Sequence, residues 1–152
     1  MTKGISLVEL LIVMGIVVII AVFLTPQFLG FFYQSQLEGD VSKITAVLRG
    51  ARDKSITQED GFGWGVHFVN SGGAGGHYIL FKGGSYPGVD VSRINLNSNI
   101  NFSSIPSGSS TDVIFSKMFG LPSGVNSLII SVISRPDLFS IINITSSGEI
   151  QY

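Results

Sequence analysis

The chain has 152 residues, enough for one globular domain and a terminal segment, and its hydrophobic fraction of 45% is raised by an apolar N-terminus. Only 12% of residues are charged and the net charge is −1, so nothing in the balance points to nucleic acid or an anionic surface, which select clustered Lys and Arg. The absence of cysteine excludes a disulfide-stapled domain, thiol catalysis and Cys-ligated metal.

The first element is a short leader, residues 1–4, followed by an apolar run in which Glu9 is the one carboxylate. From Ile5 to Leu24 a helix rising about 1.5 Å per residue extends roughly 30 Å, the thickness of a bilayer's hydrocarbon core. The sequence therefore predicts a transmembrane helix over 5–24. An ionised side chain costs about 2.5–3.5 kcal/mol at the centre of an inserted helix and less near its end, so Glu9 is expected to have a role and a cation to meet. No basic residue lies between Gly4 and Lys43. The cation can be Lys3, a group of another chain, or an α-amine made on Ile5 by cleavage after Gly4, one helical turn from Glu9. Lys3 places the N-terminus in the cytoplasm by the positive-inside tendency, and Phe28, Phe31, Phe32 and Tyr33 read as the aromatic belt at the other boundary. Val22-Phe23-Leu24-Thr25-Pro26 offers no small-x-small signal-peptidase site, which leaves a plain signal anchor as the simpler alternative.

Gly4, Ile5, Ser6 and Glu9, with the spanning run behind them, resemble the N-terminus of type IV pilins and type II secretion pseudopilins. That family has a basic leader ending in Gly, a cut before an apolar residue, usually Phe where Ile5 stands here, and Glu as the fifth mature residue. The resemblance implies cleavage between Gly4 and Ile5 by a prepilin peptidase, N-methylation of Ile5, and a filament-assembly role for Glu9. It implies as partners other pilin or pseudopilin subunits, an inner-membrane assembly platform and the lipid bilayer. The location implied is a single pass through the cytoplasmic membrane with the head outside, and later an extracytoplasmic pilus or pseudopilus. Many major pilins close a C-terminal loop with a disulfide, and a chain without cysteine leans toward a minor, initiating or tip, subunit.

Pro26 removes an intrahelical donor and Gly30 adds backbone freedom, so the stem is expected to be weakened or kinked there. In the family this is where the stem loosens as subunits pack. Beyond it, Leu37, Val41, Ile44, Leu48 and Ala51 recur at spacings of four and three, the apolar stripe of an amphipathic helix within 25–58. Glu38, Asp40, Lys43, Arg49, Arg52 and Asp53 form its polar side. The segment Leu48–Ile56 and the chain's ending, an apolar strand, a Ser-Gly turn and a short last strand, resemble the minor pseudopilin group that includes the type II secretion H subunit.

Residues 59–152 form a β-rich head. Gly65–Asn70 and Tyr78–Lys82 read as a hairpin across the glycine loop 71–76. Pro87-Gly88 centres a turn over 85–92. Short strands follow at 94–96 and 100–102, with others at 112–116, 128–133, 138–144 and 149–152 and turns at 121–124 and 135–137. The expected fold is α+β, a long N-terminal helix packed on an antiparallel sheet domain.

The residues carry little chemistry. His67 and His77 have no metal-ligand spacing, and His67, alternating with Val66 and Phe68, is expected to face solvent. No Gly-x-Ser-x-Gly elbow occurs and Gly72–Gly76 lacks the Lys-Ser/Thr of a P-loop, so no enzyme, metal or cofactor is expected. Trp64 and Tyr86 are expected at a helix-sheet junction. Two further readings stay open. One is a signal-anchored binding domain that never polymerises. The other is a minor pilin that captures DNA through Lys82, Arg93, Lys117 and Arg135, which are scattered in the sequence.

Overall fold

The computed structural model describes residues 6–72 and 75–152, side chains excepted at 23–28. Within them the fold is α+β. A 50-residue helix α1, Leu7–Ile56, is followed by a 3-10 turn, Glu59–Gly61, and nine strands. The chain divides after Gln34 into two compact units, and every buried side chain among the described residues belongs to the second, Ser35–Tyr152.

In that unit the predicted stripe is the buried face of α1: Leu37, Val41, Ile44, Leu48 and Ala51 are all 5% exposed or less. Full burial of each large aliphatic side chain is worth about 1.5–3 kcal/mol, enough to hold a helix whose ladder alone is marginal. The helix ends at Ile56, two residues before the expected Gln58. Gln58 takes a left-handed conformation, φ 54°, and the Thr57 hydroxyl donates to the carbonyls of Asp53 and Lys54. Upstream, the backbone is helical through Pro26 and Gly30.

The strands form two antiparallel sheets where one was expected. The first has the order β3(Val89–Asn95)-β2(Gly76–Lys82)-β1(Trp64–Asn70)-β5(Ser110–Phe115)-β6(Pro122–Gly124). The second has the order β4(Ile100–Phe102)-β7(Ser127–Val132)-β8(Arg135–Ile144)-β9(Ile150–Gln151). Val66, Phe68, Tyr78, Val113 and Phe115 of the first and Ile100, Phe102, Leu128, Ile130, Val132 and Ile142 of the second fill the core. The sheets meet where Phe68 packs edge-on against Phe102, centroids 5.4 Å apart. Asn70 joins them as well, its Nδ2 donating to the carbonyls of Phe102 at 3.0 Å and Ile105 at 2.7 Å.

Two expected turns are strands. Pro122–Gly124 pairs with β5 at the edge of its sheet, and Arg135-Pro136-Asp137 opens β8, whose hairpin turn is Ile133-Ser134. Proline lacks a ladder donor, and both prolines sit where no donor is needed: β6 has one neighbour, and β9 pairs only with Asn143 and Ile144 of β8. The turn expected over 85–92 stops earlier, since β3 begins at Val89.

Candidate assembly surface

The described part of the first unit is helical from Leu7. Its large apolar side chains from Leu7 to Val22 are all between 51% and 80% exposed, on every side of the helix. A helix apolar all round is stable when lipid or other helices surround it. Among the described residues no helix is long and apolar enough to cross a membrane. The run whose side chains are described, Leu7–Val22, extends about 24 Å at 1.5 Å per residue.

Glu9 lies in the first turn of α1, exposed, and among the described residues no cation stands within ion-pair distance of it. Two features of this position add to its isolated charge. The positive end of the helix dipole favours a carboxylate there by about 0.3–1 kcal/mol. Ser6 directly precedes the helix, so Ser6-Leu7-Val8-Glu9 has the Ser-x-x-Glu spacing of a capping box, a signal legible in the sequence. Gly4 and Ile5 lie outside the described residues, as does the Pro26 side chain. Gly30 has open space where a Cβ would stand, so among the described residues no close neighbour requires a glycine there.

At the other end of α1, side chains from the polar side reach the head. Asp40, 2% exposed, accepts from the Asn97 backbone N–H at 2.8 Å, the Asn97 Nδ2 at 2.9 Å and Lys43 at 3.2 Å, so its burial is matched by donors. Arg49 and Arg52 donate to the carbonyls of Ile150 and Ser147, tying the C-terminal strand to the helix. Trp64 is buried at the helix-sheet junction as expected, its backbone N–H donating to Ser55 Oγ at 2.8 Å. Burial, and then the charge of Asp40, push the Tyr78 phenol up to about 12.

His67 departs from expectation, being 9% exposed. The alternation does turn it to the outer face of the first sheet, but the 83–88 loop folds over that face. Tyr86 stacks on the imidazole with centroids 3.7 Å apart, and Nδ1 meets Asp112 Oδ1 at 2.5 Å. Tyr86 therefore lies on this face and not at the helix-sheet junction. His77 on the next strand titrates below its usual range because of burial, then Arg93 and His67. Among the described residues no three metal-binding side chains are grouped to hold an ion. Each of the four basic residues named for DNA has a neighbour of its own: Lys82 pairs with Asp60, Arg135 with Asp137, Arg93 sits by His77, and Lys117 lies over the Phe62 ring. Gly73 and Ala74 of the glycine loop lie outside the described residues.

Compared with known proteins, the chain matches no family description, no curated protein and no solved structure.

Proposed function

We propose that this chain is a prepilin-like structural subunit, cut after Gly4, methylated on Ile5 and assembled through its N-terminal helix into a type IV pilus or type II secretion pseudopilus as a minor, initiating or tip, component. The observation that carries the reading is the first half of α1, apolar on every side and exposed, with one carboxylate that has no cation beside it among the described residues. With Ile5, Ser6, Phe23 and Leu24 added from the sequence, the run reaches the roughly 30 Å of a hydrocarbon core. Among other stems in lipid, an unpaired Glu9 is costly and one paired with an N-terminal amine is tolerated, so the pair selects the register at which stems lock together. Pro26 and Gly30 let the stem loosen as it packs.

Two variants separate this role from the local one. Glu9→Gln keeps the capping-box spacing and loses the charge, while Glu9→Leu loses both. Both are expected to enter the membrane and to be missing from filaments. Normal incorporation of Glu9→Gln would reduce Glu9 to a helix cap. Mass measurement of the native N-terminus is expected to give a chain starting at methylated Ile5. An intact Met1 would overturn the proposal in favour of a signal-anchored domain that does not polymerise.

A further inference from the structure

At one end of the first sheet lies an open recess of about 630 Å³, walled by Phe62, Ile114, Leu121 and Pro122 with Ser123 and Lys117 at its border. Phe62 and Leu121 are about half exposed, and Met118 and Phe119 beside them are more so. Lys117 is the one charged residue among those lining the recess. Its ammonium stands 5.8 Å over the Phe62 ring, and among the described residues no carboxylate lies within ion-pair distance. Apolar walls around a lone cation fit an extended segment with apolar side chains beside a carboxylate.

The chain presents such a segment at the opposite edge of the same sheet. In edge strand β3, Val89 and Val91 are 58% and 49% exposed, and Asp90 between them is exposed and has no cation partner among the described residues. A register shift in the β2–β3 pairing leaves Val91 without a partner opposite it. Asp90 cannot reach Lys117 of its own molecule. β2 and β1 separate β3 from β5, which at about 4.8 Å per step makes roughly 14 Å. Arg93, the other charge of β3, lies opposite Ile79 and beside His77, away from Asp90 opposite Phe81.

We propose that Val89-Asp90-Val91 of one copy seats in the recess of a second copy, Asp90 pairing with Lys117. The two surfaces differ, so the contact is head-to-tail: each added copy brings a free edge and a free recess, and the contact repeats. It rests on the filament reading in one respect: a contact this small is weak between free molecules and takes hold when stems hold the heads at high effective concentration.

The test uses the full-length chain, whose lack of cysteine leaves each single-cysteine variant with one thiol. Val91→Cys and Ser123→Cys, on differently tagged copies, are reconstituted together in proteoliposomes and oxidised. The expected result is a mixed Val91→Cys with Ser123→Cys disulfide as the dominant product. Adding Asp90→Lys to the first copy should lower its yield about tenfold, and adding Lys117→Asp to the second should restore it. No mixed product, a dominant Val91→Cys self-product, or a yield indifferent to Asp90→Lys would overturn the proposal. The lipid concentrates the heads whether or not stems are processed. Loss of the mixed product therefore counts against the head contact alone, and an uncut N-terminus with the product intact counts against the processing reading alone.

Discussion

Tyr78 offers the sharpest test of how the head is held together. Its ring is 1% exposed, packed 6.0 Å from Phe68, and its hydroxyl is buried with no hydrogen-bond partner among the described residues. An unsatisfied buried polar group costs about 1–3 kcal/mol, and Tyr78→Phe removes it while keeping the ring that fills the core. Allowing for the small void left behind, the variant should be about 1 kcal/mol more stable than the parent at pH 7. The two proteins should then diverge further in alkali. The folded-state pKa is raised to about 12 from the unfolded value near 10, because burial and the Asp40 charge disfavour the phenolate. A raised pKa on this group means that its stabilising contribution is whole below pH 10 and drains away as the pH climbs toward 12. At pH 11 the parent should have lost on the order of 1 kcal/mol that Tyr78→Phe retains. Urea unfolding of the full chain in detergent, followed by fluorescence of the buried Trp64, the single tryptophan, reads both quantities. A variant less stable than the parent at pH 7, or a stability gap unchanged between pH 7 and pH 11, would refute the reasoning.

Substitutions at three further positions probe other joints by the same unfolding assay. Asn70→Ala strips the Phe102 and Ile105 carbonyls of their donor where the two sheets meet, and should cost about 2–3 kcal/mol. Asp40→Ala leaves both Asn97 donors unanswered and should cost about 2–4 kcal/mol, whereas Asp40→Asn keeps an acceptor oxygen and should cost less than half as much. Gly124→Ala, at φ +103° with its new Cβ pressed onto the Asp112 carbonyl, should destabilise by about 2 kcal/mol or more and loosen β6 from β5.

What the sequence disclosed about this fold was its short-range periodicity. The stripe from Leu37 to Ala51, the β1–β2 hairpin and the burial of Trp64 each depend on neighbours a few residues away or on a single apolar face. What it concealed was pairing at long range. Pro122 and Pro136 look like turn residues until strand order shows that Pro122 lies in an edge strand with one neighbour and that Pro136 lies outside the paired positions of β8. Asp40 looks like a solvated helix residue until Asn97, far along the chain, supplies its donors. His67 faces the side its alternation predicts, but the Tyr86 loop covers that side. At the stem, Glu9 stands out because a carboxylate is foreign to an apolar run. The Ser6-x-x-Glu9 spacing was equally legible and gives the same residue a second, local occupation.

Those two occupations can be separated because stem and head keep their own sources of stability. Every buried side chain of the described chain lies at Leu37 or beyond, and Gln36 and Asp40 of the helix accept hydrogen bonds from Asn99 and Asn97 of the head. Glu9→Leu and Glu9→Gln should therefore leave the urea midpoint of the head unchanged. A capping residue at a helix end is worth about 1 kcal/mol to its own helix and nothing to a neighbouring copy. A charge pair between stems acts the other way, indifferent to the fold of one molecule and decisive for the register of many. If Glu9→Gln unfolds the head, its absence from filaments says nothing about pairing. If the head stands and assembly fails, the lost interaction lies between chains.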